Sequence, residues 1–99
     1  MMKLRINPLV AKDLKSIKDY IAEDNADKAL ETIQEIYSQF ENIQQFLYIG
    51  VDLTKRVSFK TDYKYVVWED YVVLYKVGKE AVEIYRVLNR YQDITRIFE

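Results

Sequence analysis

The sequence predicts an α+β domain in which a short strand leads into an antiparallel helical hairpin and then a three- to four-stranded antiparallel sheet. Three observations carry this. Apolar residues recur at helical spacing twice between Val10 and Leu47. The pattern then changes to β-branched and aromatic runs after Gly50. Finally, 99 residues that are 49% hydrophobic can build one core but not two, so residues 1–99 form a single domain.

Lys3 to Asn7 opens the chain as a short strand. Asn7 is placed to cap a helix whose first position is Pro8, where the missing N–H costs nothing. Val10, Leu14, Ile17 and Ile21 then form one apolar stripe, and Lys12, Asp13, Lys15, Lys18 and Asp19 fill the solvated side. Glu23-Asp24-Asn25 interrupts the pattern and supplies the next cap. The second stripe is Ala29, Ile33, Ile36, Phe40, Ile43 and Leu47, widened by Ala26, Leu30 and Tyr37. So short a connection makes the two helices an antiparallel pair.

From Lys55 onward "KRVSFK" alternates as a strand, followed by "YKYVVW" and "YVVLYKV" on either side of a Glu69-Asp70 turn. Gly78-Lys79-Glu80 turns the chain again into "AVEIYRVL". Strict alternation puts Ile84, Arg86 and Leu88 on one face, with Tyr85 and Val87 on the other. Arg86 therefore either emerges at a sheet edge or reaches a buried carboxylate. Six of the nine tyrosines lie from Tyr63 onward, where cross-strand packing accounts for most of them.

Composition narrows the chemistry. There is no cysteine and no histidine, which removes disulfides, thiolates, Ser-His and Cys-His nucleophiles, and histidine metal sites. No zinc or calcium spacing and no glycine-rich phosphate loop is present, so neither metal nor cofactor is expected. The opening residues lack the apolar run of a signal peptide, and no stretch approaches a membrane span. A cytoplasmic protein is expected. A net charge of −1 gives no overall attraction to nucleic acid, but base is locally in excess from Lys55 to Lys64 and from Arg86 to Arg96.

The candidate site follows from this local excess. Asn89, Arg90 and Tyr91 lie just past the last strand, where backbone pairing stops and side chains can converge. Arginine offers a planar fork for phosphate, and tyrosine a ring or a hydroxyl. Surface ion pairing of Arg90 and Arg96 with Asp93, or of Arg96 with Glu99, is the plainer reading of the same residues.

Taken together, "INPLVAKDLKSIKDYIAEDNADKALETIQEI", "IGVDL" with "KRVSFKTDYKYVVWEDYVVLYKV", and "VEIYRVLNRYQDI" resemble the RelE/ParE superfamily of bacterial type II toxin–antitoxin, or plasmid stabilisation, toxins. The resemblance implies a growth-inhibiting toxin neutralised by a cognate antitoxin. It implies no membrane partner and no sequence-specific DNA binding by the toxin alone. ParE-like members inhibit DNA gyrase, whereas RelE-like members are metal-independent endoribonucleases that cut ribosome-bound mRNA. The RelE-like Tyr-Arg-Leu-Val-Tyr stretch is Tyr71-Val72-Val73-Leu74-Tyr75 here, with Val72 in the arginine's place. Both this substitution and the acidic balance favour the ParE-like branch. In an interferase, Arg90 and Arg86 would stabilise the phosphate, Lys64 or Glu69 would act as base, and Tyr91 would stack or donate a proton. An inactive, antitoxin-binding scaffold is the third possibility.

Overall fold

The computed structural model describes residues 2–92. Strand β1 (Lys3–Ile6) leads into helices α1 (Pro8–Ala22) and α2 (Ala26–Gln45), followed by β2 (Val51–Asp52), a 3₁₀ turn (Leu53–Lys55), β3 (Tyr63–Trp68), β4 (Tyr71–Val77) and β5 (Ala81–Asn89). The α+β class and the helical hairpin are as expected. The two caps are as well: the Asn7 side chain accepts from the Leu9 N–H at 2.9 Å, and that of Asn25 accepts from the Lys28 N–H at 3.0 Å.

The sheet has five strands in the order β1-β5-β4-β3-β2. The meander β2 to β5 is antiparallel, but β1 joins β5 in parallel, pairing Lys3 with Ala81 and Ile6 with Ile84. The helices cover one face. Their stripes bury Val10, Leu14, Ile36, Phe40 and Ile43 against Val73, Tyr75, Val82, Ile84 and Val87. The widening residues behave differently from expectation: Leu30 is 52% exposed and Tyr37 44%, so the core stripe of α2 is the narrow one.

Two further corrections concern the sheet. The stretch from Lys55 to Lys60 is not a strand. It begins on the last residue of the 3₁₀ turn and continues as a loop, closed by Thr54, whose hydroxyl donates to the Thr61 carbonyl at 2.9 Å and accepts from its N–H at 3.2 Å. Leu53 and Val57 pack on the far side of the sheet, forming a second apolar cluster with Val72, Leu74 and Leu88. Alternation there is satisfied by burial over the sheet rather than by pairing within it.

The second correction is the face assignment in β5. Leu74 pairs with Arg86 but Tyr75 pairs with Ile84, so Tyr85 is an extra residue in a β-bulge. One inserted residue exchanges the faces beyond it. Ile84 and Val87 thus share the helix side, and Leu88 lies on the opposite one.

Candidate functional site

Arg86 directly follows the bulged residue Tyr85. Its guanidinium turns toward α1, where Nε donates to Asp13 Oδ2 and Nη2 donates to Asp13 Oδ1, both at 2.8 Å. The Val87 N–H donates to the same carboxylate at 3.0 Å. Asp13 therefore holds three donors, and its carboxylate keeps Arg86 above the ordinary arginine pKa, with burial opposing it. Of the two fates open to Arg86, this is the carboxylate. Asp13, assigned to the solvated side of α1, is instead a buried-edge anchor. The signal was present, since Asp13 stands three residues after Val10 and beside Leu14, at the margin of the stripe.

Next to this pair lies the end of the β3–β4 hairpin. Glu69 takes a positive φ of 53° in the turn. The Arg90 N–H donates to the Asp70 carbonyl at 2.8 Å, and Arg90 Nη1 donates to the Glu69 carbonyl at 3.3 Å. The Asn89 side chain accepts from the Tyr91 N–H at 2.9 Å, tightening the turn after β5. Arg90 sits 5.7 Å from the centre of the Tyr91 ring, and Tyr91 is 79% exposed. Between these groups and α1 is an open cleft of about 480 Å³ lined in part by Asp13, Tyr20, Tyr71, Arg86, Asn89 and Tyr91. Tyr20 and Tyr71 as cleft walls were not read from the sequence. Tyr71 lies among strand tyrosines that have an ordinary packing explanation, and Tyr20, 75% exposed on α1, falls outside the apolar stripe.

The structure places Arg86, Arg90 and Tyr91 near one another at the end of β5. Arg86 is occupied by Asp13. Glu69 meets Arg90 through its backbone, and its side chain is exposed. Lys64 pairs in register with Tyr75, whereas Asn89 pairs with Tyr71, so Lys64 stands about 13 Å further along the sheet. Its ammonium lies 5.7 Å from the centre of the Tyr48 ring. Val72 is 1% exposed within the second apolar cluster, leaving no room for a charged side chain on that face. The proposed partners Asp93, Arg96 and Glu99 lie outside the described residues. Among the described residues, no group of three or more acids is placed to hold a metal, and no helix is long and apolar enough to cross a membrane.

The geometry agrees with what comparison finds. A solved structure of the chromosomal ParDE toxin–antitoxin system from P. aeruginosa superposes with a TM-score of 0.75, at 25% identity, covering 90% of this chain and 96% of that one. No curated protein matches by sequence. The family described as ParE toxin of type II toxin–antitoxin system, parDE, matches residues 4–94. A match over nearly the whole length, joined to the same order of strand, helix pair and sheet, places this chain in the ParE family of type II toxins.

Proposed function

We propose that this toxin arrests growth by binding a protein, DNA gyrase, in the cytoplasm, and that a cognate antitoxin neutralises it. Family membership supports the class, and the fate of Arg86 supports the mode. An interferase needs cations free to meet the charge developing on a phosphate. Here one arginine is tied to Asp13 by two hydrogen bonds, and the base candidates Lys64 and Glu69 do not converge on Arg90. Arg90 and Tyr91 remain as an exposed cation and ring just past β5, the residue types that anchor protein interfaces. In this reading they contact the target, and Arg86 with Asp13 is the scaffold behind them.

The experiment is expression from an inducible promoter, with 5′ ends of translated messages mapped by primer extension as growth stops. The expected result is arrest with unchanged message ends. New codon-phased ends would replace this reading with the ribosome-dependent interferase. Continued growth at full expression would leave the antitoxin-binding scaffold.

A further inference from the structure

Arg90 and Tyr91 stand just beyond the sheet, since the last register pair of β5 is Asn89 with Tyr71. Two exposed side chains there would sample many directions unless the backbone beneath them were fixed. A turn fixes it. The Gln92 N–H donates to the Asn89 carbonyl at 3.0 Å, which closes a β-turn with Arg90 and Tyr91 at its central positions. That turn is docked on the neighbouring hairpin. The Arg90 N–H donates to the Asp70 carbonyl at 2.8 Å, and Arg90 Nη1 donates to the Glu69 carbonyl at 3.3 Å.

All of these bonds use backbone acceptors, which any residue supplies. One more depends on residue type: the Asn89 side-chain oxygen accepts from the Tyr91 N–H at 2.9 Å. Only short polar side chains reach the N–H two residues on in this way, asparagine and aspartate better than serine or threonine. The bond holds the peptide unit between Arg90 and Tyr91, and with it the directions in which both side chains leave the chain. In that arrangement the Arg90 guanidinium rests 5.7 Å from the centre of the Tyr91 ring.

We propose that Asn89 is a positioning residue for target binding, its side-chain oxygen holding Arg90 and Tyr91 as one preformed surface without itself touching the target. Such a role rests on the reading above, in which Arg90 and Tyr91 contact the target. A surface ordered before the encounter avoids the cost of ordering it on binding, about fivefold in affinity for each long side chain immobilised. Asn89 also borders the cleft beside α1, so direct contact through its amide nitrogen is the competing role. Exchange for aspartate separates the two, because aspartate keeps the accepting oxygen and loses the N–H donors.

The test compares the purified full chain with Asn89→Asp and Asn89→Leu. Exchange of the Tyr91 amide proton, followed by NMR, reads the turn itself. It should be at least about threefold faster in Asn89→Leu, and within about twofold of wild type in Asn89→Asp. Inhibition of gyrase supercoiling, and growth arrest at matched expression, read the surface. Both should weaken about fivefold in Asn89→Leu and stay within about twofold of wild type in Asn89→Asp. Thermal melting gives the folded fraction, so potency is scored per folded molecule. A turn needed only for stability would lower the melting temperature and leave that potency unchanged. Unchanged amide exchange in Asn89→Leu, or full potency in that variant, would overturn the proposal. Equal loss in both variants would overturn it too, and would make the amide a direct contact. If the wild type arrests growth without inhibiting gyrase, the gyrase reading fails while arrest still ranks the variants. A wild-type chain that does neither would overturn the toxin reading and this proposal with it.

Discussion

Arg86 and Asp13 are 73 residues apart in sequence and joined by two 2.8 Å hydrogen bonds, the principal polar tie between the sheet and α1. Their side chains are 23% and 10% exposed, so each ion depends on the other for the solvation it has lost. The pair also holds the Val87 N–H at the bulge, which makes it a fastener of backbone geometry as much as of charge.

Removing one partner strands the other. Asp13→Ala should cost about 2–3 kcal/mol, at the lower end for a buried pair because Arg86 keeps some access to water. Urea denaturation measures it. A change within about 0.5 kcal/mol would mean that water replaces the carboxylate and that the bulge supports itself.

Tyr75 supports a second prediction, from the other end of the sheet. Its ring is wholly buried, and its hydroxyl donates to the Leu47 carbonyl at 2.9 Å and accepts from the Gly50 N–H at 2.8 Å. Tyr75→Phe keeps the ring but orphans both backbone groups, and should cost about 1–3 kcal/mol. Gly50→Ala should destabilise by a similar amount. A Cβ there would stand 2.6 Å from the Tyr75 oxygen and 2.9 Å from the Tyr65 carbonyl, with backbone on one side unable to yield.

The same tyrosine gives a pH dependence. Burial pushes the hydroxyls of Tyr75, Tyr71 and Tyr63 above the ordinary tyrosine value, partly opposed at Tyr75 by the Gly50 N–H. The folded chain therefore binds these protons more tightly than the unfolded one. Stability should be unaffected by these groups below about pH 10 and fall as pH rises beyond it, through the folded values. Melting temperature against pH measures this, and Tyr75→Phe should make the fall shallower. An unchanged alkaline slope in that variant would show that the Tyr75 hydroxyl binds its proton no more tightly in the folded chain than in the unfolded one.

Glu69 offers a stabilising change. A left-handed backbone at φ 53° is strained for glutamate and free for glycine, so Glu69→Gly should add about 0.5–1 kcal/mol. Because Glu69 meets Arg90 only through its carbonyl, growth arrest should survive the substitution. Loss of arrest in a stable variant would restore a role to the carboxylate.

Much of this was legible in the sequence, and the rest was hidden for identifiable reasons. The α2 stripe from Ala29 to Leu47, both asparagine caps and the Glu69-Asp70 and Gly78-Lys79-Glu80 turns are local signals, and the structure keeps them. The parallel pairing of β1 with β5 joins the two ends of the described chain, which no local pattern encodes. The bulge at Tyr85 is invisible to strict alternation, yet it decides which faces Val87 and Leu88 take. Val57 alternates as it would in a strand because its loop buries it over the sheet. Asp13 stands at the margin of the α1 stripe, but an acid among lysines on a helix reads as solvated until its partner from a distant strand is known.

The measurement that reaches the central claim most directly is supercoiling of relaxed plasmid by purified DNA gyrase, with wild-type toxin, Arg90→Ala and Arg86→Met compared at matched folded concentration. Arg90 is exposed, so its loss should leave the melting temperature within about 2 °C of wild type. On this account wild-type protein inhibits supercoiling, Arg90→Ala loses at least about tenfold in potency, and Arg86→Met retains it once corrected for unfolded protein. Undiminished supercoiling with the wild-type toxin, or full inhibition by Arg90→Ala, would contradict it.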